Sequence, residues 1–427
     1  MLKSIISYLL NKISSFLLKI FLKLRSPLLC AIIFYINLKK LKKIKNNTLK
    51  KTVKIIILSK SGGIEDIKAA YENVDESFLE FFELPRILIK QVFFYFLNGH
   101  KYEDYYTRDS SEEIKKEKIK YKKFISTVFE KLNLFIVYKA VVSFNIFYFA
   151  ENDLPESLQC LEKKYLVVHK ESVNSPEESQ INLENYKNHN KRFFANKVAV
   201  YCENEKDILI KSNVLKPNQI EVVGCSRSDF SFQMRETQPL DNQIVYFMIE
   251  NNRSITEEKS KGKLADWTNL IDKTQNYLVE YSLKNPHVKI IFKGKKNVHT
   301  RSDLPEYLPQ NCKFSLSNPG HNFLKEAKVV IAFNSTILFE AILANRNILI
   351  PIFDIDINKL DKLIYKSPNY FVNKKDIFFE KLDIHLKTKY QPKILNEEEK
   401  NSVEFYLGNS DGKSGERLRN FFSNNLK

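Results

Sequence analysis

Two small clusters of polar residues stand at the ends of apolar runs, where side chains can do chemistry. The first is Asn334-Ser335-Thr336. It closes the run KVVIAF and opens the run ILFEAILA, in which Glu340 is the one carboxylate. A helix starting there has amides without intrahelical acceptors, and such an end attracts phosphate. The Ser335 and Thr336 hydroxyls can donate to the same oxygens. Glu340 falls one turn further on in an apolar helix and needs a partner, because an unpaired buried carboxylate is costly. A ribose hydroxyl pair would serve, and so would a lysine. The same three small residues also suit a plain helix cap, so spacing alone leaves both readings open.

The second cluster is His169-Lys170-Glu171, at the end of the run YLVVH. Such a group after a strand points into a cleft, although a capped strand with a surface ion pair fits the same pattern. Ser61-Gly62-Gly63 follows the apolar run VKIIIL, and its two glycines let backbone approach a ligand closely. A full G-x-G-x-x-G is absent, as is Walker A, which argues against a dinucleotide oxidoreductase and a P-loop enzyme. The Asp-x-Asp of FDID (353–356) comes late, after a strand, and reads as a turn; no obligatory metal and no cofactor are expected. Asn334-Ser-Thr matches the glycosylation pattern, but nothing indicates secretion.

The elements that must position these residues alternate in type. VKIIILSK (53–60), AVVSFNIFYFA (140–150), KYLVVHKES (164–172), KVAVYCEN (197–204) and IEVVGCSRSDF (220–230) are short apolar runs followed by polar turns, with helical material between. A second series follows: QIVYFMIE (243–250), a helix over 267–285, VKIIFKGKK (288–296), KFSLSN (313–318), KVVIAFNST (328–336) and NILIPIF (347–353). Strand–helix–strand repetition predicts an α/β chain with two tandem Rossmann-like domains and a cleft between them. Ligands in such sheets lie beyond the carboxyl ends of the strands, which is where both clusters fall. The polar segment 235–243 reads as the linker. The expected divisions are an N-terminal arm over 1–50, an acceptor domain over 51–236 and a donor domain over 240–400. A last helix over 401–427 is expected to cross back to the first domain. The charged stretch 102–123 reads as a solvated helix or loop.

At 427 residues with 43% hydrophobic content the chain can bury two cores. Its net charge of +17 would suggest nucleic acid, but thirteen of the basic residues lie in residues 1–54, which hold no acid. The basicity therefore belongs to one arm, and no nucleic-acid signature accompanies it. In that arm Lys12, Lys19 and Lys23 recur at helical intervals among leucine, isoleucine and phenylalanine. The longest uncharged stretch, Ser26 to Leu38, is shorter than the ~20 residues a spanning helix needs. An amphipathic helix lying on a membrane surface is expected, with the Lys39–Lys45 cluster drawn to anionic headgroups. Packing of that helix on the body is the plainer alternative. Five scattered cysteines without a C-x-x-C pair fit a reducing compartment.

The block AFNSTILFEAILANRNILIPIF (332–353) resembles the donor-nucleotide segment of two-Rossmann-domain (GT-B) glycosyltransferases. It is most similar to bacterial capsule and lipopolysaccharide enzymes and to the related CDP-glycerol glycerophosphotransferases. The resemblance implies that Ser335 and Thr336, beside Asn334, hold donor phosphate and that Glu340 holds ribose. It places Gly224, Arg227 and Asp229, from G-x-x-R-x-D, near the hinge, adds Gly224, Arg227 and Lys293 to the nucleotide and phosphate site, and gives the Ser61-Gly62-Gly63 turn to the acceptor side. Many relatives carry an Arg/Lys-x-His-Pro after the strand at 288–292. Here the residues are KGKK, so Lys293 is retained without the histidine. Since sugar transfer needs a base for the acceptor hydroxyl, the resemblance implies Glu171 as that base, with His169 second and Lys170 neutralising phosphate or tuning the carboxylate.

The expectation is thus a metal-independent glycosyltransferase, peripheral on the inner face of a bacterial cytoplasmic membrane. Its partners would be a nucleotide-sugar donor and a glycan or lipid-linked acceptor, with no nucleic acid. A polyol-phosphate transferase on the same architecture, or a non-catalytic membrane scaffold, are the alternatives.

Overall fold

The computed structural model describes residues 2–41, 52–60, 62–72, 74, 77–97, 112–170, 174–189, 192–250, 267–296, 298–317, 319–360, 363–365 and 367–426, with side chains from 12 onward. The chain divides into two compact units. Unit 1 is 1–172, 182–226 and 414–427; unit 2 is 173–181 and 227–413.

Unit 1 holds a seven-stranded sheet, ordered β1-β3-β2-β4-β5-β6-β7. Its strands are β1 (Lys39–Lys40), β2 (Val53–Leu58), β3 (Leu79–Leu84), β4 (Tyr138–Ser143), β5 (Lys164–His169), β6 (Lys197–Val200) and β7 (Ile220–Val222). All pairs are parallel except β1 on β3. Successive residues of a strand face opposite sides, and both sides are apolar here. Ile56, Leu58, Val141, Val167 and Val198 face one core, while Ile55, Ile57, Ala140, Val142 and Leu166 face the other. Continuous β-branched runs therefore make strands buried on both faces. β3, LEFFEL, escaped the sequence reading because its two glutamates break up the apolar run.

On the first face pack α1 (Leu2–Lys23), α2 (Pro27–Ile36), α4 (Arg86–Phe96) and α5 (Glu112–Phe135). The N-terminal segment is therefore no free arm. Leu18, Leu22, Cys30, Ala31, Ile33 and Phe34 are buried in the main core of unit 1. The Asn37 amide donates to Ser14 Oγ at 2.9 Å and locks α2 back onto α1. The charged stretch at 102–123 also differs from expectation. From residue 112 it begins α5, which buries Ile114, Tyr121, Ile125, Val128, Phe129 and Leu132, so its lysines and glutamates form only the outer side of a core helix. Residues 42–45 of the basic cluster lie outside the described residues, and Lys40 pairs with Glu80 at 2.6 Å.

The second face is covered by α3 (Gly63–Tyr71) and by the final helix, Ser414–Leu426, which contributes Leu418, Phe421, Phe422 and Leu426 to that core.

Unit 2 holds a six-stranded, fully parallel sheet, ordered β10-β9-β8-β11-β12-β13. The strands are β8 (Gln243–Phe247), β9 (Lys289–Lys293), β10 (Cys312–Ser315), β11 (Val329–Ile331), β12 (Asn347–Pro351) and β13 (Phe371–Val372). This is the Rossmann order, and its crevice lies where the order reverses, between β8 and β11. In unit 1 the corresponding reversal falls between β2 and β4. The expected α/β class, with two parallel-sheet Rossmann-like domains, is what the chain adopts.

Candidate functional site

In unit 2 the three buried residues of β11 bring the chain to the reversal point, and the turn chemistry follows. Ala332 and Phe333 stay buried, the Phe333 ring lying 5.1 Å from Trp267. Asn334 then takes a left-handed backbone, φ 44°. Asparagine tolerates this better than most residues, and its Oδ1 accepts the Ile364 amide at 2.9 Å. Ser335 is half-buried and Thr336 exposed. The helix Ile337–Leu343 starts immediately afterwards.

The Thr336 hydroxyl makes no capping bond to this helix. The Leu338 and Phe339 amides are taken by the carbonyls of Ser335 and Thr336, both at 3.1 Å. The amides of Ser335, Thr336 and Ile337 bond to nothing among the described residues. Three successive uncommitted amides after a left-handed residue, with two hydroxyls beside them, make an anion-binding concavity. Glu340 lies in the first turn of the same helix and is half-buried.

Lys293 ends β9 and is level with Phe247 of β8, while Tyr246 of β8 is level with Ile331 of β11. Two strand spacings of ~4.8 Å put the Lys293 backbone about 10 Å from the β11 turn, along the same sheet edge. Its ammonium donates to its own neighbour's carbonyl, Gly294 O, at 2.6 Å and lies over the Phe323 ring at 5.5 Å. Burial lowers its pKa from the ordinary lysine value. Lys295 stands where relatives of the resembling family have a histidine; at Gly294 before it a Cβ would meet the His299 Cβ at 2.9 Å. His299 itself is buried. Its Nδ1 accepts the Lys295 amide and its Nε2 donates to Ile249 O, so it is held as the neutral Nε2-H tautomer. Arg227 is half-buried at the start of the short helix Ser228–Gln233, which packs on Ile337–Leu343.

The sequence reading missed His321. It follows Gly320, whose Cβ position lies 3.3 Å from Phe247 and 3.4 Å from Ile337, and its ring stacks on Phe230 at 5.5 Å. Pro319-Gly320-His321, a turn soon after β10, was the available signal. The FDID aspartate Asp354 sits in a turn at φ 58° and pairs with Lys273 and Asn269. Among the described residues no cluster of three His, Cys, Asp or Glu could hold a metal ion.

In unit 1, Ser61 and Glu171 lie outside the described residues. Gly62 has φ 85°, and its amide donates to Glu65 Oε2 at 2.5 Å. Gly63 packs so tightly that a Cβ would stand 2.1 Å from the Phe144 ring. Packing and backbone angle therefore each require a glycine here, whatever the loop binds. His169 is wholly buried at the end of β5, with its Nε2 3.4 Å from Glu205 Oε1; that carboxylate is also buried. The Lys170 amide donates to Phe144 O at 3.3 Å, joining the ends of β4 and β5. Gly224 turns the chain after β7 at φ 82°. Beside it the buried Asp66 accepts from the Tyr201 hydroxyl at 2.5 Å and faces Cys225 Sγ at 3.8 Å. Neither Glu205 nor Asp66 carried a sequence signal, because each reads as one more acid in the polar turn of a helix.

No family model matches this sequence, and no curated protein matches it. Among solved structures, a variant of the wall teichoic acid polymerase TagF is 10% identical, matches over 97% of each chain and has a TM-score of 0.50. TagF itself is 11% identical over 97% of each chain, with a TM-score of 0.48. The UDP-N-acetylglucosamine 2-epimerase of Rickettsia bellii is 14% identical over 87% of this chain and 96% of its own, with a TM-score of 0.44. At such identities the first of these likenesses speaks to fold alone.

Proposed function

We propose, from the premise of a GT-B fold, that this chain is a transferase acting on a nucleotide-activated donor at a membrane surface. The observation that carries this reading is the row of uncommitted amides at Ser335, Thr336 and Ile337, on the carboxyl edge of β11 beside the reversal point. An amide row with two hydroxyls suits a nucleotide's phosphates. In transfer the bond between donor carbon and phosphate oxygen breaks, and its electron pair leaves with the nucleotide. Fixed N–H dipoles stabilise the charge that develops on that oxygen, which is commonly the largest contribution an enzyme makes. Lys293 on the neighbouring edge adds a positive charge, and Glu340 holds the ribose hydroxyls. With these groups supplying the positive side, the reaction requires no obligatory metal.

The acceptor hydroxyl forms the new bond to the donor carbon and gives up its proton. Glu171 is the base we assign to that proton. His169 is buried against Glu205 at the end of β5, an arrangement that fixes the point where the chain leaves the strand, and Lys170 offsets donor charge. The acceptor is a glycan or a lipid-linked chain at the inner face of a bacterial membrane, and the donor is a nucleotide sugar. Likeness in fold to a wall teichoic acid polymerase favours a second reading on the same site, transfer of a polyol phosphate from a cytidine donor.

Thermal melting with CMP, CDP, UDP and GDP compounds tests the reading, because a ligand that binds only the native state raises its stability by about 2.7 kcal/mol at a hundred times Kd. One nucleotide class should stabilise the chain and lose most of that effect in Ser335→Ala. Silence across the panel would favour the scaffold. The mass added to the acceptor separates sugar from polyol phosphate. Unaltered transfer by Ser335→Ala and Glu171→Gln would remove both residues from the mechanism.

A further inference from the structure

Unit 2 carries a second concavity, apart from the open amides at 335–337. The steps β8 to β9 and β9 to β10 run one way across the sheet, and the step β11 to β12 runs the other. Right-handed crossovers then place the helix Thr268–Lys284 and the segment 298–305 on one side of the sheet, and the helix Ile337–Leu343 on the opposite side. Between Thr268–Lys284 and 298–305 lies a cleft of about 390 Å³, with Met248 and Ile249 in its lining where the chain leaves β8. That volume is ordinary for a small-molecule site.

The walls of the cleft are pinned without a ligand. The Gln275 amide, on the helix, donates to Asp303 O at 3.0 Å. His299 Nε2 donates to Ile249 O at 3.2 Å, and the Thr300 amide and hydroxyl both donate to Asp303 Oδ2. A cavity held in this way is preorganised, so its occupant need not order it.

Two side chains in the cleft have no structural duty. Asp272 and Asn276 both line it, and neither side chain makes a hydrogen bond or ion pair among the described residues. Positions i and i+4 share one face of a helix. A carboxylate only accepts, whereas a carboxamide donates and accepts. Side by side they satisfy both partners of a pair of neighbouring hydroxyls. Ser302 brings a hydroxyl from the facing wall, and Ile271 and Val298 offer apolar surface to the C–H side of a ring. What the cleft lacks narrows the ligand further. Its lining holds no lysine or arginine, and His299 is neutral. A phosphate or carboxylate would meet no counter-charge there and would face the open Asp272. A metal ion would lack ligands, since no three His, Cys, Asp or Glu cluster among the described residues.

We propose that this cleft binds an uncharged, hydroxyl-rich unit, a sugar or polyol, with Asp272 and Asn276 gripping adjacent hydroxyls. The unit is either free or part of a glycan chain. On the transferase reading, a chain held here would be anchored away from the phosphate turn; the binding itself does not depend on that reading.

The molecule carries its own reporter. Trp267 is the single tryptophan and directly precedes Thr268, which lines the cleft. The full chain, without nucleotide, is titrated with glycerol, ribitol, glucose and N-acetylglucosamine, and with maltotriose and chitotriose. Trp267 emission and saturation-transfer NMR follow the binding. Melting is not the readout, because polyols stabilise folded chains in general by exclusion from their surface. At least one compound should bind saturably. Asp272→Leu with Asn276→Leu should weaken that binding roughly tenfold or more, the size of two lost hydrogen bonds. Both residues are exposed, so this variant should melt like the parent. Asp272→Asn still accepts a hydroxyl and should keep the affinity within about threefold. Loss of binding in Asp272→Asn would mean a cationic ligand and would overturn the proposal. So would parent-like binding by the Leu pair, or no saturable binding across the panel. Tighter binding of the trisaccharides than of single sugars assigns a glycan chain, and equal binding assigns a free sugar. Nucleotide stabilisation is read in a separate titration, so failure of the transferase reading leaves this result standing.

Discussion

Thr336→Val separates the two explanations of the Asn-Ser-Thr turn. If the hydroxyl capped the helix, its removal would cost about 1 kcal/mol of stability. The structure shows no such bond, and Thr336 is exposed, so the apo protein should lose less than about 0.5 kcal/mol. For a unit of this size that is a change in Tm of no more than about 2 °C. Binding is another matter. A hydroxyl bonded to a charged phosphate contributes about 1.5–3 kcal/mol, equivalent to roughly 10- to 150-fold in donor affinity. The amides of Ser335, Thr336 and Ile337 remain in the variant, so affinity should fall by that factor and not vanish. Calorimetry with the stabilising nucleotide gives the affinity, and melting without ligand gives the stability. A variant that melts several degrees lower yet binds nucleotide like the parent would show that the turn is only a cap, and the phosphate site would have to be abandoned.

Other expectations follow from packing and charge. Gly63→Ala should destabilise by about 1–3 kcal/mol, because the new methyl meets the Phe144 ring; a urea titration measures this, and a neutral result would mean that the ring moves freely. Arg86 pairs with the buried Glu151 and lies over Tyr148 at 3.7 Å. Arg86→Met should therefore cost about 3–5 kcal/mol, with Glu151→Gln restoring part of it, as a double-mutant cycle would report. Burial lowers the Lys293 pKa below 10.5. The folded chain thus holds that proton less tightly than the unfolded chain, and stability should rise with pH as 10.5 is approached from below. Lys293→Met should flatten that part of a Tm-against-pH curve. Bound donor phosphate should raise the Lys293 pKa, so that nucleotide binding takes up a proton in the same range, which calorimetry in buffers of different ionisation enthalpy detects.

The parallel sheets were readable because strands buried on both faces appear as unbroken runs such as VKIIIL and KYLVVH. β3 was hidden because Glu80 and Glu83 interrupt its apolar pattern, and Glu80 is the acid that pairs with Lys40 of β1. The α1 periodicity correctly suggested an amphipathic helix, but composition cannot say which of its apolar residues face the body. Only the burial of Leu18 and Leu22 beside the exposure of Phe16 and Leu24 separates them. The turn at 334–336 was legible as a polar break after a strand. That its hydroxyl leaves the helix uncapped, and that three amides stay open, depends on the left-handed Asn334, which residue type alone does not fix. The His169–Glu205 contact was invisible because it joins the end of one strand to a helix entered after the next.

The last helix, Ser414–Leu426, completes the hydrophobic interior of unit 1, where Leu418, Phe421 and Phe422 meet residues from α3 and β3. During synthesis, the sheet of unit 1 therefore keeps part of one face uncovered beside α3 until residues 414–426 have emerged. Losing residues 414–426 would then damage a unit whose strands lie almost two hundred residues earlier, and holding chaperones would be needed longest by the segment that was made before it.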